Sequence, residues 1–259
     1  YKIIVAGQSD VGMVREKNED NYLIDEQHSL FIVADGMGGH VGGQMASSIA
    51  VQKIEEYVVD HYDDILAGAD IEALDSSPIP RILADAVRNA CGEIFGTAQD
   101  DPTLQGMGTT VTAMLVNRGR AFIAHVGDSR AYLQRGDRII QVTEDHSLVN
   151  EQIKAGILTP EQARISRYKN IITRSVGFEK DVAVDTFALP LEHDDRFLMC
   201  SDGLANYADD TEIGRALAYS EIEQVPDDMI ALANSRGGDD NITVIVVKIV
   251  DEQVLEVAS

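Results

Sequence analysis

Short apolar runs broken by turn residues dominate the hydrophobic pattern of this chain. Tyr22-Leu23-Ile24 and Leu30-Phe31-Ile32-Val33-Ala34 flank Asp25-Glu26-Gln27-His28-Ser29, which predicts a β-hairpin. Residues 111–116 and 121–126 flank Asn117-Arg118-Gly119-Arg120, and residues 131–133 and 139–142 flank a turn containing Arg135-Gly136-Asp137. Both predict consecutive antiparallel pairs. Further strands are expected over residues 182–187, 196–200 and 242–248. The last is almost continuously β-branched, the pattern of a central strand buried on both faces.

Two stretches follow the other period. In residues 43–62, Met45, Ala46, Ile49, Ala50, Val58 and Tyr62 recur at helical spacing, and in residues 79–95 Leu83, Ala86, Val87, Ala90 and Ile94 do the same. The connections around these helices are mostly hairpins rather than repeated βαβ units. The expected fold class is therefore α+β: two stacked antiparallel β-sheets flanked by helix pairs, an α-β-β-α sandwich. With 259 residues, 44% of them apolar, the chain has material for one large core and reads as a single domain over residues 1–259. The irregular stretch over residues 70–80, DIEALDSSPIP, reads as a surface loop.

Charge narrows the function. A formal net charge of −23 repels phosphate backbones and anionic lipid, so neither nucleic acid nor a membrane surface is an expected partner. Carboxylates clustered for divalent cations would also count as bare charge until the ions bind. Cys91 and Cys200 both sit in apolar patterns and read as small buried hydrophobes, not as a disulfide framework. No apolar run approaches about 18 residues and no charged-then-apolar leader opens the sequence. A soluble monomer in the reducing cytoplasm is expected.

One arrangement recurs four times: an apolar strand joined to an aspartate beside glycine. The instances are Asp35-Gly36, Gly127-Asp128, Asp202-Gly203 and Gly237-Gly238-Asp239-Asp240. Glycine lets the backbone turn sharply or approach closely, so each carboxylate can be presented from a rigid strand end, and four such ends can converge on one pole of a sandwich. A single Asp-Gly is ordinarily a turn, but turns need no buried strand before them. Carboxylates gathered without basic partners repel one another unless some protonate or cations bind between them. Mg²⁺ or Mn²⁺ suits such an oxygen-only set, whereas zinc would call for Cys or clustered His, and the six histidines are scattered. Ahead of these lies Arg15-Glu16-Lys17-Asn18-Glu19-Asp20. Such a charged run is ordinarily a solvated loop; its functional reading has Arg15 as a planar fork for phosphate oxygens and Asp20 reaching metal-bound water.

Six ordered motifs resemble those of the type-2C (PPM) metal-dependent serine/threonine protein phosphatases, in their bacterial branch: Arg15-x-x-Asn18-Glu19-Asp20, Asp35-Gly36-Met37-Gly38-Gly39-His40, Gly108-Thr109-Thr110, His125-Val126-Gly127-Asp128-Ser129-Arg130, Ser201-Asp202-Gly203 and Gly238-x-Asp240-Asn241. The resemblance spans essentially the whole chain. It implies the same sandwich with a two-ion Mn²⁺ or Mg²⁺ centre at one end. Asp35 would bridge the ions, the Gly36 carbonyl would bind one, and Asp202 and Asp240 the other. Asp128 with Asp202 would hold a weaker third ion, Asp20 would act through water, and Arg15 would bind the substrate phosphate. Phosphoserine and phosphothreonine proteins would be hydrolysed by direct attack of water held between the ions, opposing a cognate serine/threonine kinase.

The poor alkoxide leaving group calls for a proton donor or a second water. His40 is the candidate by motif, with a plain loop histidine as the alternative, because animal relatives place their histidine directly after Asp-Gly, where this chain has Met37. Asp239 precedes the Asp240-Asn241 pair as a bystander, and Asn206 stands where some relatives carry a further carboxylate. Asp145-His146 invites a catalytic role, but a helix cap opening residues 147–155 is the simpler reading. Residues 148–174, with a helix start at Thr159-Pro160-Glu161-Gln162, are expected to form a flap that contributes to substrate choice, with Arg164, Arg167, Tyr168 and Lys169 as a basic patch. Two other functions stand beside the phosphatase. A silent sensor or scaffold keeping the fold is disfavoured by the complete set Asp35, Asp128, Asp202 and Asp240. A metal-dependent phosphodiesterase or nuclease is disfavoured by the charge.

Overall fold

The computed structural model describes residues 1–38, 41–67 and 77–251. Eleven strands are described: β1 Lys2–Asp10, β2 Asp20–Asp25, β3 Leu30–Met37, β4 Gly108–Thr109, β5 Val111–Asn117, β6 Arg120–Val126, β7 Arg130–Arg135, β8 Arg138–Gln141, β9 Asp185–Pro190, β10 Arg196–Cys200 and β11 Ile242–Val250. They form two sheets. One runs in the order β1-β11-β10-β7-β8; the other runs β2-β3-β5-β6-β9, with β4 paired to β3. Every pairing is antiparallel, as the hairpin-rich pattern predicts.

Period-two alternation assigns each strand two faces. On β3, Phe31 and Val33 meet Phe197, Met199, Ile245 and Val247 of the other sheet, whereas Leu30, Ile32 and Ala34 turn outward. The outward set packs under helices α1 (Gly42–Asp60) and α3 (Ile79–Asp100). On the opposite side, Val244 and Val246 of β11 pack under α7 (Asp210–Tyr219) and α8 (Val225–Ser235). Each fully buried aliphatic side chain of this kind contributes about 1.5–3 kcal/mol. β11 lies between β1 and β10 and is buried on both faces, as its β-branched run requires. The result is the expected four-layer sandwich.

Strand β1 and helices α7 and α8 were not expected from the sequence, α3 runs on past residue 95 to Asp100, and other boundaries differ. The helix expected over residues 43–62 stops at Asp60, where the His61 amide N–H bonds back to the Tyr57 and Val59 carbonyls, and a short helix α2 (Tyr62–Ala67) follows. The strand expected from residue 182 begins only at Asp185, which pairs with His125; Val182 is instead buried in the helix-side core. The loop expected over residues 70–80 lies in part outside the described residues, and α3 already begins at Ile79. Cys91 and Cys200 are buried free thiols. No helix among the described residues is long and apolar enough to cross a membrane.

Candidate active site

The sheet ends deliver the carboxylates. Asp20 and Asp35 face each other across the β2–β3 pair. Asp128 follows β6, Asp202 follows β10 and opens the short helix α6 (Asp202–Ala205), and Asp240 stands two residues before β11. The backbone around them is fixed by hydroxyls. The Asp35 N–H donates to Thr110 Oγ1 (3.0 Å), and its carbonyl accepts from the Thr110 N–H (2.8 Å) and from Thr109 Oγ1 (2.9 Å). Two glycines are needed for close approach. A Cβ on Gly36 would lie 2.1 Å from the Gly43 carbonyl oxygen, and one on Gly203 would lie 1.9 Å from that of Asn241. The glycine of each Asp-Gly pair thus lets two backbones cross at the place where the carboxylate emerges.

Asp20 is buried, and its Oδ2 accepts from Ser201 Oγ (2.8 Å) and Thr243 Oγ1 (2.6 Å). Asn241, also buried, staples three chain segments. Its Oδ1 accepts from the Glu19 N–H, and its Nδ2 donates to the Val11 and Lys17 carbonyls. That staple fixes the loop carrying Arg15. The Arg15 guanidinium reaches Asp240 Oδ2 at 2.8 Å and the Asp239 carbonyl at 3.3 Å, and stays half exposed. The Asp239 carboxylate accepts from the Tyr207 hydroxyl (2.5 Å). Asn206 donates to Asp202 Oδ2 (3.2 Å). His40 lies outside the described residues.

The electrostatics are those of like charges forced together. Burial raises Asp35 well above the usual carboxylate range, and Asp20, Asp202, Asp128 and Asp240 raise it further. Asp20 is pushed up to about 7, mainly by burial and against the pull of its Thr243 and Ser201 hydrogen bonds. Asp202 is pushed up to about 6 by burial and then by Asp240. Burial, then Asp202, raises Asp128 well above its ordinary value. Among the described residues, Asp20 Oδ1, Asp128 Oδ1 and Asp202 Oδ1 are buried side-chain oxygens with no hydrogen-bond partner. Unpartnered carboxylate oxygens at such a cost fit cations, which would hold the carboxylates ionised and occupy their lone pairs. No group of three or more His, Cys, Asp or Glu side chains among the described residues already stands as a metal cage. Hard ions take backbone carbonyls, keep several waters and need only one or two carboxylates each.

Two clefts open on this pole. One of about 500 Å³ is lined by Arg15, Asp35, Gly36, Asp202 and Asp240; the other, of about 480 Å³, by Asp128, Asp202, Asn206, Arg164 and Lys169 among others. Asp202 borders both. The second cleft is walled by residues 148–174, which contain helices α4 (Leu148–Lys154) and α5 (Pro160–Arg164). Thr159 and Gln162 form the expected capping box. Of the residues expected to form a basic patch, the Arg167 guanidinium lies 4.5 Å from the Tyr168 ring centroid, and Arg164 and Lys169 border the second cleft.

The helix expected over residues 147–155 is present, from its N-cap Ser147 to its C-cap Ala155, but neither Asp145 nor His146 provides the cap. Ser147, not Asp145, caps α4, its hydroxyl accepting from the Asn150 N–H. Asp145 instead takes a forked hydrogen bond from Arg130, and His146 Nδ1 accepts from the Gly127 N–H. The hydroxyl shell of Ser201, Thr243, Thr109 and Thr110 and the Asn241 staple were also not assigned from sequence. Each stands inside or next to a recognised motif, but its partner lies far away in the chain, 181 residues for Ser201 with Asp20.

A carboxylate-lined pole that fits divalent cations, beside an exposed guanidinium, is what a metal-dependent hydrolase of phosphate esters requires. Residues 14–240 match the family model described as protein phosphatase 2C. The chain is 38% identical over 245 residues to the serine/threonine phosphatase stp of Listeria innocua, covering 93% of this chain and 94% of that one. It superposes on the crystal structure of the Mycobacterium tuberculosis serine/threonine phosphatase PstP/Ppp with a TM-score of 0.85 and 33% identity, covering 96% and 99%. A second structure, of the PstP catalytic domain in complex with two manganese ions, aligns with a TM-score of 0.81 and 34% identity, covering 96% and 99%. The chain belongs to the protein phosphatase 2C family, the metal-dependent serine/threonine phosphatases.

Proposed function

We propose that this phosphatase removes phosphate from phosphoserine and phosphothreonine in proteins at the cleft lined by Arg15, Asp35 and Asp240. The observation that carries this reading is the set of mutually raised carboxylates with unpartnered buried oxygens. Asp35 and the Gly36 carbonyl would hold one divalent ion, and Asp35 with Asp202 and Asp240 a second; Asp128 with Asp202 would hold a weaker third. Mn²⁺ or Mg²⁺, when bound, would supply an acidified water and charge neutralisation at the phosphate.

The chain's own residues do the rest. Asp20, held by Ser201 and Thr243, faces the same pole and orients water. Arg15 supports phosphate binding, because its guanidinium is anchored by Nε and one Nη on residues 239 and 240 while its half-exposed side chain lines the cleft. His40, by its motif position, is assigned as the donor to the leaving alkoxide. Residues 148–174 act as a flap, and the single domain works as a cytoplasmic monomer opposing a serine/threonine kinase. The net charge of −23 supports protein rather than nucleic-acid substrates.

The test is hydrolysis of a phosphothreonine peptide by the purified chain, first with EDTA and then with added Mn²⁺ or Mg²⁺. Activity lost to chelator and restored by metal is expected. A folded protein inactive under every metal condition would leave only the sensor or scaffold role.

A further inference from the structure

The residue pair Asp145-His146 does not line the cleft of Arg15, Asp35 and Asp240, and neither side chain caps α4, yet the pair grips the turn carrying Asp128 from both sides. The His146 main-chain N–H donates to the Gly127 carbonyl (2.7 Å), and the Gly127 N–H donates to His146 Nδ1 (2.9 Å). One residue therefore satisfies both backbone groups of Gly127. On the other side, Arg130 Nε and Nη2 fork onto both oxygens of Asp145 at 2.6–3.1 Å, and Gln141 Nε2 donates to Asp145 Oδ1 (2.9 Å). Asp128 stands between these grips, and its own Oδ1 is buried without a hydrogen-bond partner. Its carboxylate is placed by its neighbours.

The clamp has a second attachment. Because Nδ1 accepts from Gly127, the proton of neutral His146 must sit on Nε2, where it points at Asp185 Oδ2 (3.0 Å). Asp185 also takes Arg174 Nη1 (2.7 Å) at the end of residues 148–174. Both ends of that segment meet at His146: the Thr173 N–H donates to the His146 carbonyl (2.8 Å), and the next residue, Ser147, pairs with Ile172.

We propose that Asp145 and His146 are positioning residues that set the Asp128 carboxylate and tie its placement to the seating of residues 148–174. This rests on the assignment of Asp128 to the weaker cation site. Outer residues that orient ligands in this way typically change metal affinity by about 10–100-fold.

Two substitutions split the imidazole into its two functions. His146→Asn keeps an acceptor near Nδ1 for Gly127; His146→Gln keeps a donor near Nε2 for Asp185 and loses that acceptor. Mn²⁺ titration calorimetry on both, with Asp128→Asn beside them, reads the weak and tight sites separately. The clamp requires His146→Gln to weaken the weak site by about tenfold, leave the tight sites unchanged, and be milder in His146→Asn. An unchanged weak site in His146→Gln, or equal loss at weak and tight sites, overturns it.

Amide exchange separates the clamp from the cation assignment. If Asp128→Asn leaves the weak site intact, the Asp128 assignment fails, and the clamp is judged by Gly127 alone: faster exchange in His146→Gln than in His146→Asn upholds it, equal rates overturn it. Should a variant not fold, the wild-type protein decides by nitrogen NMR. A neutral His146 with its proton on Nε2 is required, and a proton on Nδ1 overturns the clamp.

Discussion

The two sides of the carboxylate pole are anchored by different means. On the β2–β3 side, Asp20 and Asp35 lie on paired strands and are held by hydroxyls and backbone groups of neighbouring core strands. On the other side, Asp128 sits on a turn held by the side chains of Asp145 and His146, which in turn meet residues 148–174. The first arrangement is set by the sheets themselves and moves only if the core moves. The second depends on residues that also anchor a peripheral segment with few buried apolar side chains. A site built this way is expected to have a rigid half and an adjustable half, with Asp202 bordering both clefts.

The largest expected effect comes from removing the residue the two halves share. Asp202→Asn should lower turnover by about 10³-fold or more, since charge stabilisation by a lost ion is worth several kcal/mol. In EDTA the same change should raise the melting temperature, because a buried repulsive carboxylate becomes a neutral amide. Scanning calorimetry with and without Mn²⁺ separates the two signs. A variant that keeps full turnover would remove Asp202 from the site.

Next comes pH. In metal-free protein, Asp20 and Asp202 have folded pKa values of about 7 and about 6 against an ordinary 3.8. The folded state then binds more protons than the unfolded chain between those values, so stability should fall as pH rises from 3.8 to about 7, by several kcal/mol. Buried His125 acts in the opposite sense. Its pKa is pushed down to about 4 from 6.5, chiefly by burial and then by His146, so its contribution is lost as pH falls through that window. Burial also lowers His146, in the same sense as His125, and in EDTA the four raised carboxyls should outweigh the two imidazoles. Saturating Mn²⁺ should reverse the slope by keeping the carboxylates ionised. Urea unfolding at several pH values, with and without metal, measures both slopes.

Arg15→Ala should act more narrowly. A charge-assisted hydrogen bond is worth about 1.5–3 kcal/mol, so KM for a phosphopeptide should rise about tenfold or more, with kcat changed less. A change in kcat alone would move Arg15 from phosphate binding to another role.

The same division explains what could be read from the chain beforehand. Asp35, Asp128, Asp202 and Asp240 were legible because each is local: an apolar strand, an aspartate and a glycine in one short window. Most strands were legible for the same reason, although β1 and β4 were not, and the double burial of β11 showed in its unbroken β-branched run. What holds these residues was not legible. Ser201 and Thr243 around Asp20, or Asp145 around Arg130, are ordinary polar residues until the fold brings distant segments together. His146 shows the limit most clearly. Next to Asp145 and before a helix it looks like part of a cap, and only the position of Gly127 shows that its ring nitrogen has other work.

The smallest effect expected is confined to the adjustable half. Thr159 caps α5 with a full capping box, but that helix buries only Ala163. Thr159→Ala should cost about 1 kcal/mol of local stability. Helix α5 can open without exposing the sheet core, so the loss should appear as roughly fivefold faster amide exchange over residues 162–164, with the global unfolding midpoint unchanged. Turnover of a small aryl phosphate should also be unchanged, because its phosphate meets only the cleft at Arg15, Asp35 and Asp240. A phosphopeptide long enough to reach Arg164 and Lys169 on the second cleft should instead show a modest rise in KM. If the midpoint fell along with local protection, residues 148–174 would be part of the cooperative core, and the two halves of the pole would be a single rigid unit.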